Sequence, residues 1–194
     1  LYTMYVVKSL GIDPSTGKEI FQKINGTLTD EWSASDKRPM GISQPKFQGR
    51  FNTAISYKNL SLSAVFSFRT GGDYMNHTLI SKVENIYPYN NADKRAYYDR
   101  WKTAGEHSLF KSVRDWTNTN ASSRFIQREN TLECKTLTLQ YSVNSDWLKQ
   151  ALHIEYLSVS GYMEDVFRIS TIKQERGLNY PFSRKFSMSL RLTF

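Results

Sequence analysis

Hydrophobic and polar residues alternate along much of this chain, and the alternation predicts strands. At the C-terminus Phe186, Met188, Leu190, Leu192 and Phe194 alternate with Ser187, Ser189, Arg191 and Thr193. A period of two sustained over such a stretch matches a membrane-crossing strand of roughly 9–11 residues. Residues 60–70 repeat the pattern, with Leu60, Leu62, Ala64, Phe66 and Phe68 on one face and Ser61, Ser63, Val65, Ser67 and Arg69 on the other. Just before them, Phe51, Thr53, Ile55 and Tyr57 alternate with Arg50, Asn52, Ala54, Ser56 and Lys58. A tight turn at Lys58-Asn59 joins these two runs as an antiparallel hairpin.

Two further strands are less regular. In residues 131–143, Leu132 and Cys134 occupy even positions, whereas Leu137, Leu139, Tyr141 and Val143 occupy odd ones. That change of phase predicts a bulge near Lys135-Thr136, because without one part of the strand turns its apolar side to the wrong face. Residues 153–166 behave similarly, Ile154 and Tyr156 giving way to Leu157, Val159, Gly161 and Met163. The link at 144–152, which contains Trp147, reads as a turn. At the N-terminus, residues 1–9 and 18–24 flank Asp13-Pro14-Ser15-Thr16-Gly17, turn chemistry that predicts a smaller hairpin.

The expected class is all-β, with residues 1–46 forming the N-terminal hairpin and a loop, and 47–194 forming the main strands. Connections are short at Lys58-Asn59 and 144–152 but long at 25–46, 71–130 and 167–182, with a short helix expected within 92–101. Short turns at one end and long loops at the other are the build of an outer-membrane barrel. In an ordinary compact domain a connection as long as 71–130 counts against the assignment.

Composition narrows the class. Of 194 residues, 39% are hydrophobic and 23% charged, which excludes general disorder. No apolar run reaches the roughly 18 residues of a transmembrane helix. Barrel strands, however, average out as hydrophilic, so a mean hydropathy of -0.55 leaves a β-barrel open. Cys134 is the only cysteine, which excludes an intrachain disulfide and a Cys-cluster zinc site. The net charge of +8 permits nucleic acid, anionic lipid or an acidic ligand as partner. The chain opens on Leu1 with no leader pattern and reads as a cut from a longer protein.

No catalytic constellation emerges, and neither a cofactor nor a metal is expected. His77, His107 and His153 are scattered, and Gly71-Gly72 stands alone without a phosphate loop. Arg50, Arg69 and Arg191 fall on the polar faces of strands, where they either line a polar lumen and meet a plug or anionic cargo, or are paired internally. The loop 71–130 holds Tyr74, Tyr87, Tyr89, Tyr97, Tyr98, Trp101, Phe110, Trp116 and Phe125. Of these, Tyr87, Tyr89, Tyr97, Tyr98, Trp101 and Trp116 are the candidates for contact with a ligand or partner, the alternative being a loop packed on itself. Basic and aromatic residues interleave here, but Asp73, Glu84, Asp93, Asp99, Glu106, Asp115 and Glu129 dilute the field and argue against nucleic acid.

Several stretches carry a family resemblance in order and spacing. They are Pro45-Lys46-Phe47-Gln48-Gly49-Arg50-Phe51-Asn52-Thr53, Tyr57-Lys58-Asn59-Leu60-Ser61-Leu62-Ser63 and Arg69-Thr70-Gly71-Gly72-Asp73-Tyr74-Met75-Asn76. Asp99-Arg100-Trp101, Ser122-Ser123-Arg124-Phe125-Ile126, Leu137-Thr138-Leu139-Gln140-Tyr141 and the closing Ser187 to Phe194 follow, with residues 11–17 also in pattern. In these the chain resembles the C-terminal portion of SusC/RagA-type TonB-linked outer-membrane transporters of Bacteroidetes. Arg50 and Gln140 stand where many members carry glycine.

The resemblance implies a plugged barrel of about 22 strands, capped by a SusD-like lipoprotein and driven by TonB, importing glycans or peptides through the outer membrane. It implies lipid against the apolar face and an assembly signal in Leu190, Leu192 and Phe194. The plug and the TonB-contacting region lie outside this chain, so the piece has no transport activity of its own. Five barrel strands are odd in number, where single-chain bacterial barrels have even counts, which again points to part of a larger barrel. The rival class is a soluble all-β glycan-binding module, since a sandwich strand also has one apolar face.

Overall fold

The computed structural model describes residues 2–86, 89, 92–172 and 184–194. Contacts divide the chain into two units, Leu1–Pro45 with Gly72–Arg128, and Lys46–Gly71 with Glu129–Phe194. Among the described residues no helix is long and apolar enough to cross a membrane.

The first unit holds strands β1 (Thr3–Ile12), β2 (Glu19–Gln22), β3 (Leu28–Thr29) and β4 (Lys37–Ile42) in the order β3-β2-β1-β4. The N-terminal hairpin forms as expected, β1 pairing antiparallel with β2. Its turn is tied by Asp13, which accepts from the Ser15 N–H at 3.0 Å and the Thr16 hydroxyl at 2.7 Å. Those bonds, the Ser15 N–H first, hold the Asp13 carboxyl below its ordinary value. Gly17 follows at φ +70°, and a Cβ there would lie 2.4 Å from the Trp101 ring, so only glycine fits.

Residues 25–46, expected as a loop, contain β3 and β4, and β4 pairs antiparallel with β1. Pro39 and Gly41 hide β4 in the sequence. At a sheet edge, however, proline need not donate to the ladder.

The long connection is ordered by short elements: α1 (His77–Leu79), a π-helical turn at Ile80–Glu84, α2 (Arg95–Tyr98) and a 3-10 turn at Ser123–Phe125. The expected helix within 92–101 is α2. Asn76 caps α1, accepting from the Leu79 N–H at 3.2 Å. Leu79, Ile80, Val83, Ala96, Phe110 and Phe125 form a small core beneath these turns.

The second unit is a five-stranded sheet in the order β5-β6-β7-β8-β9, built from β5 (Phe47–Tyr57), β6 (Leu60–Met75), β7 (Ile126–Val143), β8 (Tyr156–Ser170) and β9 (Lys185–Thr193). β5 and β6 form the expected hairpin, with Lys58 in the left-handed region at φ 51°. β6 and β7 run past their expected ends, which shortens the connection between them to residues 76–125. The link 144–152 is more than a turn. It carries α3 (Asp146–Leu152), begun by a Ser145 side chain that accepts from the Leu148 N–H and closed by His153 at φ 54°.

Register sorts the sheet into two chemical faces. Leu137, Met163 and Phe186 make one row, Leu139, Gly161 and Met188 the next, and Tyr141, Val159 and Leu190 a third. On β5 and β6 the same kind of row pairs Phe51 with Phe66, their rings stacked at 4.9 Å, and Ile55 with Leu62. The opposite face pairs Arg50 with Ser67, Ser56 with Ser61, and sets Gln140, Ser160 and Ser189 in line. The expected bulge lies between Cys134 and Thr136, where the register shifts against β8 and Asp165 takes φ 49°. It lets the apolar positions of β7 change from even to odd while those of β8 stay odd. Among the described residues the sheet is open and does not close into a barrel.

Candidate functional site

The first unit is held by a buried ion cluster. Arg124, in the 3-10 turn, donates to Glu19 of β2 at 2.7 Å and to Glu84 of the π-helical turn at 2.6 Å. It also reaches the Leu109 carbonyl at 2.7 Å and lies over the Phe125 ring. Burial pulls its pKa down, but the hydrogen bonds and charges of Glu19 and Glu84 outweigh this and leave it above the ordinary value. Ser122, fully buried, donates to Glu19 at 2.6 Å, and Ser123 accepts from the Ser9 N–H at 2.9 Å. The Ser122-Ser123-Arg124-Phe125 stretch is thus a clasp between the N-terminal hairpin and the long connection.

Asp99-Arg100-Trp101 acts in the same way. Arg100 is buried and donates to the carbonyls of Val83 and Glu84, supplying donors at the C-terminal end of the π-helical turn. Burial above all lowers its pKa, with the Arg124 charge adding and Glu84 opposing. Trp101 lies on Gly17 and donates its Nε1–H to the Pro14 carbonyl at 2.8 Å.

The aromatic candidates divide by exposure. Trp101 is half-buried, whereas Tyr89, Tyr97, Tyr98 and Trp116 are exposed. Tyr97 and Tyr98 meet edge to face at 5.2 Å, with the Lys102 ammonium 5.4 Å from the first ring. Tyr87 lies outside the described residues. Phe110 and Phe125 belong to the small core, so the connection both packs on itself and presents exposed rings.

Beside the clasp lies a cleft of about 530 Å³ between the β2–β3 hairpin and residues 111–120. Phe21, Thr119 and the buried Lys111 line its interior, and Trp32, Glu31, Asn118 and Asn120 line its walls. Its lysines are paired: Lys18 with Asp30 at 2.6 Å and Lys111 with Asp115 at 3.7 Å. The Lys18 hydrogen bond holds the Asp30 carboxyl below its ordinary value. Asp115 is pushed up by burial, but the Thr117 hydroxyl and N–H and the Lys111 charge together bring it below. Both are therefore ionised at neutral pH.

On the sheet unit, Arg69 faces Glu129 at 3.8 Å, while Arg168 bridges Glu129 and Glu133 at 3.9 and 3.3 Å. Lys135 continues the chain of opposite charges to Glu133 at 2.7 Å and Asp165 at 3.6 Å. Arg50 and Arg191 are exposed, and among the described residues neither has an ionic partner. Leu190, Leu192 and Phe194 are exposed at the end of β9. Among the described residues no three His, Cys, Asp or Glu side chains are grouped to hold a metal.

The sequence did not single out Glu19 or Lys111 at all, and Glu84 appeared in it only as a diluting charge. Arg124 and Arg100 stood inside stretches of family resemblance without a role. The available signal was a run of polar residues, Ser122-Ser123-Arg124, directly ahead of the apolar start of β7.

No protein-family model matches the chain. Among curated proteins it is 25% identical over 168 residues to TonB-dependent receptor P3 of Formosa agariphila, and 25% identical over 156 residues to TonB-dependent receptor P39 of the same organism. These alignments take in 79% and 78% of this chain but only 15% of each relative, so the chain spans about a seventh of their length. Among solved structures, one of the RagAB peptide transporter superposes with a TM-score of 0.78 at 19% identity, covering 99% of this chain and 23% of that one. The RagAB peptide importer in its open-open state gives 0.76 at 18% identity, covering 99% and 22%. The proteins that it resembles are named as receptors and transporters, not as enzymes. The chain is thus similar in sequence to TonB-dependent receptors and in fold to the RagAB transporter.

Proposed function

We propose that this chain is a piece of a TonB-dependent outer-membrane importer, with its five-stranded sheet in the barrel wall and its first unit outside the cell. The observation that carries the reading is the bare apolar face. Phe51, Ile55, Leu139, Met188 and Leu190 stand in register on one side of the sheet, and all are exposed. A soluble sandwich keeps such a face inside, whereas a barrel wall offers it to lipid. The polar face, with its chain of ion pairs from Arg69 to Asp165, suits a wet lumen, where Arg50 and Arg191 are left to meet a plug or cargo. Exposed Tyr57, Tyr141 and Phe194 lie toward the short-turn ends of β5, β7 and β9, and exposed Trp147 lies in α3 of the short link, as an interfacial aromatic girdle does.

The partners follow from the resemblance: a SusD-like lipoprotein over the loops, TonB through a region outside this chain, and glycan or peptide as cargo. The piece alone has no transport activity. Exposed Tyr89, Tyr97, Tyr98 and Trp116 are the residues for lipoprotein or cargo contact.

An epitope inserted between Ala104 and Gly105 tests the orientation, since this exposed turn has open space around Gly105. In intact cells making the whole transporter it should be detected at the surface. Detection only after permeabilisation rejects the orientation. Phe194 is further proposed as part of the assembly signal, with Leu190 and Leu192. Its deletion should lower the inserted amount several-fold while synthesis is unchanged, as pulse labelling would show, and undiminished insertion counts against that role.

A further inference from the structure

We infer that the cleft beside the clasp binds a neutral sugar of up to three rings; its access to the cell exterior rests on the importer reading above. A volume of about 530 Å³ suits a ligand of that size. The walls offer hydrogen-bonding groups that the fold does not use. Glu31, Asn118 and Asn120 line the cleft, and among the described residues none of their side chains has a partner. Each asparagine amide presents donors and an acceptor together, the match for neighbouring hydroxyls that both give and take hydrogen bonds. Trp32 adds a flat apolar wall, and its Nε1–H donates to the Ala121 carbonyl at 3.1 Å, which fixes the indole.

The charges select against other ligands. Lys18 and Lys111, the cations of the lining, are committed to Asp30 and Asp115, so an anion finds no free cation in the lining itself and meets Glu31. A cation finds one free carboxylate but must approach Lys18 and Lys111, and the Lys37 ammonium already lies 5.5 Å from the Trp32 ring. A peptide main chain is best read by a bare strand edge, whereas these walls are side-chain amides, carboxylates and an indole. An uncharged, hydroxyl-rich ligand is what the remaining groups fit.

The test is calorimetry and tryptophan fluorescence on the purified whole transporter, using maltotriose, laminaritriose, xylotriose and mannotriose, with triserine and trilysine as competing probes. At least one trisaccharide should bind. Asn118→Ala with Asn120→Ala should weaken it about tenfold or more, the loss of two hydrogen bonds. Trp32→Ala should weaken it comparably, and the double asparagine variant guards against misfolding because its side chains make no hydrogen bonds within the fold to lose. Binding by none of the four sugars overturns the inference, as does sugar binding that both variants leave intact. Binding of either peptide without any sugar also overturns it and assigns the cleft to peptide. Surface detection of the 104–105 epitope in the same strain separates these failures from a failure of the importer reading.

Discussion

Arg124→Met should destabilise the first unit by about 3–5 kcal/mol, the largest single-residue effect expected there. The change removes the guanidinium that lies between Glu19 and Glu84, at 2.7 and 2.6 Å, and leaves two buried carboxylates without their ion-pair partner, with only the Arg100 charge still acting on Glu84. Methionine keeps much of the volume and the contact with Phe125, so the loss is electrostatic more than steric. Chymotrypsin gives the readout, because Phe110 and Phe125 are both buried in the native unit. The purified whole transporter carrying the substitution should be cut at both sites under conditions that spare the parent. Adding Glu19→Gln and Glu84→Gln should restore much of the protection, since neutral amides tolerate burial better than unpaired carboxylates. Equal protection of parent and single variant would show that the cluster does not hold the unit.

The sheet was legible because its two faces differ sharply in chemistry. Phe186 to Phe194 alternate without a break and Leu60 to Phe68 with Val65 as the one exception, and even the bulge announced itself when the apolar phase of β7 changed after Cys134. β4 escaped because Pro39 and Gly41 are loop signals that an edge strand tolerates. The helix α3 escaped because only Ser145 and Asp146 mark it and its apolar stripe is short, with Leu148 the one buried side chain. The clasp was illegible for a different reason. Glu19 and Arg124 stand 105 positions apart, and a charge in a loop reads as solvated until its partner is known. Aromatics posed the same problem, since nothing in the spacing of Phe110 and Tyr97 says which enters the core and which faces out.

Knowing the clasp changes what the family stretches mean. Trp101 on Gly17, Arg100 on the π-helical turn, and Ser122 and Arg124 on Glu19 are all fastenings of one unit. Asp73 adds another, accepting from the Ile42 N–H at 2.9 Å and pairing with Arg128 at 3.2 Å. These residues keep a long connection ordered, which leaves the exposed rings and the cleft walls as the surfaces proposed above for contact with a ligand or partner.

Leu190→Arg and Ser189→Arg separate lipid from lumen at adjacent residues. Leu190 lies opposite Val159 in the apolar rows and is exposed. In a barrel wall its side chain meets hydrocarbon, and arginine in the middle of the membrane costs roughly 2–4 kcal/mol. Ser189 lies opposite Ser160 on the other face, where Arg191 already stands two residues on. An arginine there enters a polar lumen at small cost. In the whole transporter, Leu190→Arg should lower the folded, membrane-inserted fraction well over tenfold and Ser189→Arg by less than twofold, read as the heat-modifiable band on a gel. Spin labels give the same contrast without adding charge: at Leu62, Phe66 and Leu190 they should be relaxed by oxygen in the bilayer and shielded from a water-soluble agent. Equal losses from both arginines, together with labels shielded from both relaxants, would reject the barrel wall and favour a soluble sandwich, because a packed core excludes lipid and water alike.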